Sequence, residues 1–402
     1  MAVTEPQRLA VRVTPDAARH IRKGHPWVFN NAITSVSGNG APGDLAVIFD
    51  DQRKFMAVGL YDPESAIRIK ILHSGRPQTI DEDWFRTKCS DTKSLRVELQ
   101  DSPLTNGYRC IHGENDGLPG VVLDRYADTF VLKLYSTAWA PHLAHLTAAI
   151  ADVFAPTTLV MRLARSVDAS QFPASGSALV GVVPEAPVTF FENGLAFEAD
   201  VVRGQKTGHF LDQRDNRAQI RSLARGTNML DIYSCTGGFA VYGAAGGARS
   251  IHRIDVSRWA IEAGDRNIAN NHGSAPHCKH TATIADAHEA MDALIATKAT
   301  FDLVVVDPPS FATRKSQTAG AVHAYRKLAG AAARLTSPGG TIMQASCSAR
   351  VSSADFYDAV KSGVHDAGRH ILNVDQTSHA ADHPVGFSEG AYLKAAFIAL
   401  AD

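Results

Sequence analysis

No apolar run in the 402-residue chain approaches the ~18 residues that a membrane-spanning helix needs. The N-terminal stretch MAVTEPQRLAV has no basic region followed by an apolar block, so a secretory leader is not expected and a cytosolic location is. Cysteine is scarce: five residues (Cys89, Cys110, Cys235, Cys278, Cys347), widely spread, with no C-x-x-C pair. A disulfide framework and a structural zinc site are therefore not expected. The cluster His272, His277, Cys278 and His280 fits no zinc spacing, and no metal is expected. The net charge is -1, so no global basic field advertises nucleic acid, and any grip on it must come from a local face. The glycine fingerprint of dinucleotide-binding folds is also missing, which makes a nicotinamide oxidoreductase a weak reading.

What is present is ordinary globular composition, 45% hydrophobic and 20% charged, in a chain longer than the roughly 250–300 residues one core supports. Residues 1–80 read as mainly β. Thr14, Pro15 and Gly24 punctuate one short helix, and alternating Leu45, Val47, Phe49 and Ile67, Ile69, Ile71 mark half-buried strands that a small β-barrel would close. Residues 81–188 mix both patterns, as an α+β domain: strands at 121–124 and 130–135, a helix at 141–154, and a Gly/Ala/Ser/Pro-rich linker at 173–187. From 189 to 402 strands and helices alternate, with strands at 228–232, 250–255, 279–283, 303–307 and 341–345. That order predicts a Rossmann-like α/β domain with a parallel sheet; strands near 371–375 and 395–400 would add an antiparallel edge hairpin.

The chemistry falls at the strand ends. In LDIYSCTGGFAVYGAAGGA (230–248) a strand ends at Asp231, and Gly237 and Gly238 lead into a helix, a turn that lets backbone approach a ligand. The next strand ends at Asp255, where an acid can accept bonds from two ribose hydroxyls; Ser257 is free to cap the following helix. Asp286, after the third strand, can receive an adenine amine or serve as an ordinary loop acid. In FDLVVVDPPSF (301–311) a buried strand delivers Asp307 to the sheet edge, and Pro308 with its neighbour proline leaves carbonyls facing outward. The fifth strand ends in SCS, which puts Cys347 where a nucleophile belongs; that reading is preferred there over a small buried cysteine, the reading kept for Cys89, Cys110, Cys235 and Cys278. Arg214, Arg217, Arg221 and Arg225 share one predicted helix face, either solvated or phosphate-binding.

Together these segments resemble the cytosine-5 methyltransferases of large-subunit ribosomal RNA. GHPWVFNNAI (24–33) and GLYDPESAIRIKIL (59–72) look like that family's RNA-binding PUA domain. HGENDGLPGVVLDRYAD (112–128) looks like its central domain. GQKTGHFLDQRDNR (204–217), DIYSCTGGF, DPPSF, SCS and DHPVGFSEGAYLK (382–394) look like its class I catalytic domain. The resemblance implies S-adenosyl-L-methionine as cofactor and large-subunit RNA as partner. It implies a cofactor pocket lined by Asp231, Tyr233, Gly237, Gly238, Asp255, Asp286 and Pro308, with Gln213 and Arg217 closing over it. Asp307 would sit beside the target base and Cys347 would attack it; Lys206, Arg214, Arg221, Arg314 and Lys315 would meet RNA. Two other readings remain open: methylation of an exocyclic base nitrogen, for which D-P-P followed by Phe311 is also suited, and a non-catalytic RNA-binding protein. The sequence sets no oligomeric state; a homodimer is compatible with it.

Overall fold

The computed structural model describes residues 6–275 and 277–402. The N-terminal run read for a leader therefore lies partly outside the described residues. By packing the chain forms two units. One comprises residues 1–191, 199–209 and 382–387, and the other 192–198, 210–381 and 388–402.

In the first unit, Arg8–Val13 alternates outward and inward, and Leu9, Val11 and Val13 enter the core. The helix Pro15–Arg22 starts as expected: Thr14 Oγ1 accepts the Ala17 N–H at 3.3 Å. The chain leaves it through Gly24 at φ +85°. Six strands form one sheet, with Trp27–Phe29 at one end and Ile33–Val36 at the other. Only Asn30–Ala32 separates these two strands. Three residues reach no further than about 10 Å, so the sheet must curl until its ends meet, as a small barrel does.

A second, five-stranded sheet runs in the order Ala178–Val180, Thr158–Leu163, Thr129–Leu134, Val121–Tyr126, Gly107–His112. The stretch expected as a linker at 173–187 therefore carries an edge strand, paired to Leu159 and Val160. Composition suggested a boundary near residue 80, yet Leu45, Val58, Leu60 and Leu72 share one apolar cluster with Trp84, Phe85, Leu123 and Leu146. A shared core explains why both segments fall in one unit. Buried ion pairs add to it: Arg96 with Asp116 at 2.7 Å, and Arg109 with Asp124 at 2.7 Å. Asp382 Oδ2 accepts the Arg109 N–H, and its carbonyl accepts from Arg96. Residues 382–387, expected in the catalytic domain, thus belong to the first unit because its buried charges need that backbone.

The second unit is a seven-stranded sheet in the order Lys279–Ile284, Ser250–Asp255, Asn228–Ile232, Phe301–Val306, Thr336–Ser346, Lys394–Leu400, Ile371–Thr377. The first five are parallel, and Lys394–Leu400 runs antiparallel to both of its neighbours. Central strands such as Phe301–Val306 are buried on both faces, which is why they read as unbroken apolar runs. Helices cover both faces. Two clusters result, one around Leu230, Val304 and Tyr325, the other around Met229, Leu303 and Phe239. Strand order reverses between 228–232 and 301–306, where the connections leave toward opposite edges. That is the switch point at which such sheets bind ligands.

Candidate active site

The parallel register sets Ile232 beside Val306 and Val306 beside Gln344. Asp231, Asp307 and Cys347 therefore lie at the C-terminal ends of three neighbouring strands, and Asp255 ends the strand on the other side of Asp231. Asp307 stands one residue beyond its strand rather than within it, and its N–H reaches the Ile232 carbonyl at 3.4 Å. Pro308 follows it, buried.

Between Asp231 and the helix Gly238–Ala245 the backbone is unusual. Tyr233, Cys235 and Gly237 take positive φ of 62°, 46° and 76°. Left-handed non-glycine residues cost free energy and persist where the surroundings impose them, commonly at ligand sites. A Cβ at Gly237 would stand 3.3 Å from Gly264 Cα, and one at Gly238 would stand 3.1 Å from Arg217 Cδ. Both glycines thus serve close approach.

Asp231 is fully buried, and neither carboxylate oxygen has a hydrogen-bond partner among the described residues. Burial raises its pKa to about 7, opposed by Arg253 and reinforced by Asp307 and Asp255. Arg253, its register neighbour, is committed to Asp265 and to the Ile261 carbonyl. Asp255 accepts the Cys235 and Ser257 N–H groups, one on each oxygen at 2.9 Å, and Ser257 caps the next helix as expected. Each oxygen keeps a further lone pair for a ligand. Asp286 is exposed and caps the helix Ala287–Ala296 through Oδ1. Tyr233 is half-buried, its phenol pushed up to about 12 by burial and by Asp286.

A buried carboxylate lacking donors, two acids at the next strand ends and a glycine cradle suit a ligand rich in N–H and O–H groups. An ammonium, a ribose and an adenine amine supply such groups, so the residues present fit S-adenosylmethionine.

Of the other expected site residues, Arg217 lies against Gly238 of the cradle but is held by partners of its own. Arg217 was expected to close over the cofactor. Instead it is 2% exposed, and Nε and Nη2 bind Glu192 at 2.8 and 2.7 Å while Nη1 binds the Phe210 carbonyl. A bidentate pair of this kind locks the guanidinium in place. Gln213 is buried and accepts from Asn216 at 2.6 Å. The basic helix face is likewise corrected. The helix Arg214–Leu223 ends before Arg225 and buries Arg214 with Arg217, leaving Arg221 exposed. Arg314 and Lys315 are exposed on the loop after Asp-Pro-Pro. Lys206 belongs to the first unit, where its carbonyl accepts from Lys133 at 3.0 Å.

Sequence reasoning missed the residues that support Cys347. Ser348 Oγ lies 2.9 Å from the Tyr325 hydroxyl and 3.0 Å from Ser310 Oγ, and Ser346 donates to Tyr325 at 2.8 Å. Lys394, 3% exposed, donates to the Ser348 and Val351 carbonyls at 2.7 Å each. One signal was available: a lysine opening the otherwise apolar strand KAAFIAL. Among the described residues no group of three or more His, Cys, Asp or Glu is arranged to hold a metal, no cysteine is paired in a disulfide, and no helix is long and apolar enough to cross a membrane.

Residues 11–74 match the model of a PUA-like domain, and residues 150–371 match that of an S-adenosylmethionine-dependent methyltransferase. A ribosomal RNA large subunit methyltransferase of Deinococcus radiodurans is 40% identical over 97% of each chain. Ribosomal RNA large subunit methyltransferase I of Shewanella denitrificans is 34% identical over 96% of this chain and 98% of its own. Among solved structures, a SAM-dependent methyltransferase from Streptococcus mutans superposes with a TM-score of 0.82 at 20% identity, covering 97% of this chain and 99% of that one. A methyltransferase complexed with SAH gives 0.83 at 20% identity, covering 98% and 100%. At that identity the two structures speak to the fold.

Proposed function

The chain belongs to the S-adenosylmethionine-dependent methyltransferase family, and from that premise we propose that it forms 5-methylcytidine in large-subunit ribosomal RNA through a covalent adduct of Cys347. The RNA substrate follows from the names of relatives that match over nearly their full length. The site of action would be the cytoplasm.

The observation that carries the cytosine-5 chemistry is a cysteine at the end of the strand next to Asp307. Cytosine C5 is too weak a nucleophile to take a methyl group unaided. Addition of the Cys347 thiolate to C6 moves the C5–C6 π electrons onto C5. A protonated Asp307 would donate to N3 and accept from the exocyclic amine, which neutralises the charge that develops there. Bound S-adenosylmethionine supplies an electrophilic methyl group, and Asp231, Asp255 and Asp286 would hold it. Loss of the C5 proton to a base then restores the double bond and expels the thiolate. A paired C5–C6 edge is hard to reach, so the target would be single-stranded or flipped out. Arg221, Arg314 and Lys315, all exposed, would meet phosphates; the burial of Arg214 removes it from that set. Methylation of an exocyclic base nitrogen, for which Asp-Pro-Pro followed by Phe311 is also suited, is the alternative reading and needs no cysteine.

The test is a covalent trap. Ribosomal RNA transcribed with 5-fluorocytidine, incubated with enzyme and cofactor, should give a denaturation-resistant protein–RNA adduct that Cys347→Ala abolishes. Methylation of ordinary RNA without any adduct on fluorinated RNA would move the nitrogen reading to first place.

A further inference from the structure

We propose that Lys394 is the positioning residue for Cys347, fixing its loop and holding its thiolate; this rests on the cytosine-5 reading of the site. Lys394 pairs in antiparallel register with Ser346, so it stands beside the end of the strand that delivers the cysteine. Its ammonium spans the loop, binding the carbonyls one and four residues after Cys347 at 2.7 Å. Two of its three N–H donors are thereby used. Among the described residues no carboxylate forms an ion pair with it.

A buried ammonium without an anion is expensive to maintain. Replacing it with an apolar residue would suit the strand KAAFIAL better. Its presence makes physical sense if a negative charge forms beside it during turnover. The group that supplies one is Cys347, in the loop that the ammonium spans; burial pushes the ammonium down to about 8, and a charge on Cys347 would oppose that shift. The other charged or titratable groups around the thiol are Tyr325 from the helix Thr318–Leu335, which Cys347 also perturbs, and Asp307 at the end of the adjoining strand. Neither is cationic, so of these three only Lys394 offers a thiolate a positive charge. The third N–H is its means.

The experiment is alkylation of the full-length protein by iodoacetamide across pH, with labelling at Cys347 read by peptide mass spectrometry. In the wild type the midpoint should fall below the ~8.5 of an ordinary thiol. In Lys394→Met, labelling at pH 7 should slow roughly tenfold, matching a midpoint about one unit higher. Lys394→Arg keeps the charge and should retain more of the wild-type rate. Methyl transfer by Lys394→Met should lose kcat with little change in KM for RNA. A wild-type midpoint at or above the ordinary value overturns the proposal, and that measurement stands even if the methionine variant fails to fold. Equal labelling in wild type and Lys394→Met also overturns it. Because labelling needs no RNA, lowered midpoints with no fluorocytidine adduct would sink the cytosine-5 reading while supporting the Lys394–Cys347 pair.

Discussion

The Tyr325 hydroxyl lies 2.9 Å from Ser348 Oγ, and through that contact one helix residue ties together the two loops that carry Asp307 and Cys347. Ser348 reaches the Asp-Pro-Pro loop by way of Ser310, and Ser346 donates to Tyr325 from below. Phe356 closes the other side of the Tyr325 ring at 5.2 Å. Such a network is rigid only while all its members are satisfied.

Tyr325→Phe keeps the ring and removes the hub. Buried serine hydroxyls then lose a partner, and stability should fall by about 1–3 kcal/mol in urea unfolding. If the two loops are held through this hydroxyl, kcat should drop while cofactor affinity stays within about threefold. Unchanged kcat would show that the loops are fixed by other contacts.

Asp231 should make stability depend on pH. Its folded pKa of about 7 lies above the unfolded value near 4, so the folded chain holds a proton that the unfolded one has lost. The stability contribution is fully present below about 4 and is lost as pH rises to about 7, with a slope of about 1.4 kcal/mol per pH unit. Asp231→Asn removes the titration. The difference between wild-type and variant unfolding free energies, measured without cofactor from pH 4 to 8, should shift steadily in the variant's favour. The same variant should bind S-adenosylmethionine at least tenfold more weakly by calorimetry. A difference that is flat with pH would mean that Asp231 ionises normally.

The ion pair of Arg217 with Glu192 is structural on this geometry. Arg217→Met strands a carboxylate in the interior and should cost about 3–5 kcal/mol. The double variant with Glu192→Gln should recover part of that loss. Cofactor affinity of the folded single variant, measured at low temperature, should remain near wild type. A large loss of affinity with little loss of stability would return Arg217 to the cofactor pocket.

Gly237→Ala tests the turn that enters the Gly238–Ala245 helix. Alanine at φ +76° is strained by roughly 1–2 kcal/mol, and its Cβ would meet Gly264 at 3.3 Å. Thermal unfolding should show the lower stability, and cofactor binding should weaken more than at Gly226, which has φ +73° and open space around it. Equal effects at the two glycines would locate the role of Gly237 in the backbone alone.

The strand ends were legible in the sequence because a parallel sheet buries its strands on both faces. The apolar run Leu303–Val306 stops at Asp307, Asp255 is the last residue of its strand, and Asp231 stands one residue before the end of its own. Thr14 and Ser257 announced their helices because unpaired N–H groups at a helix start need a side-chain oxygen nearby in sequence. Charge partnership was not legible. The four arginines at helical spacing looked like one basic face, but Glu192 is 25 residues from Arg217 and only folding brings it there. The same holds for Asp382, 273 residues from the N–H it accepts, and for Lys394, 46 residues from the Ser348 carbonyl it holds. Local chemistry and periodicity are properties of neighbours along the chain. The desolvation that decides whether a charge is a surface group, a buried pair or a support for a nucleophile depends on which distant segments cover it.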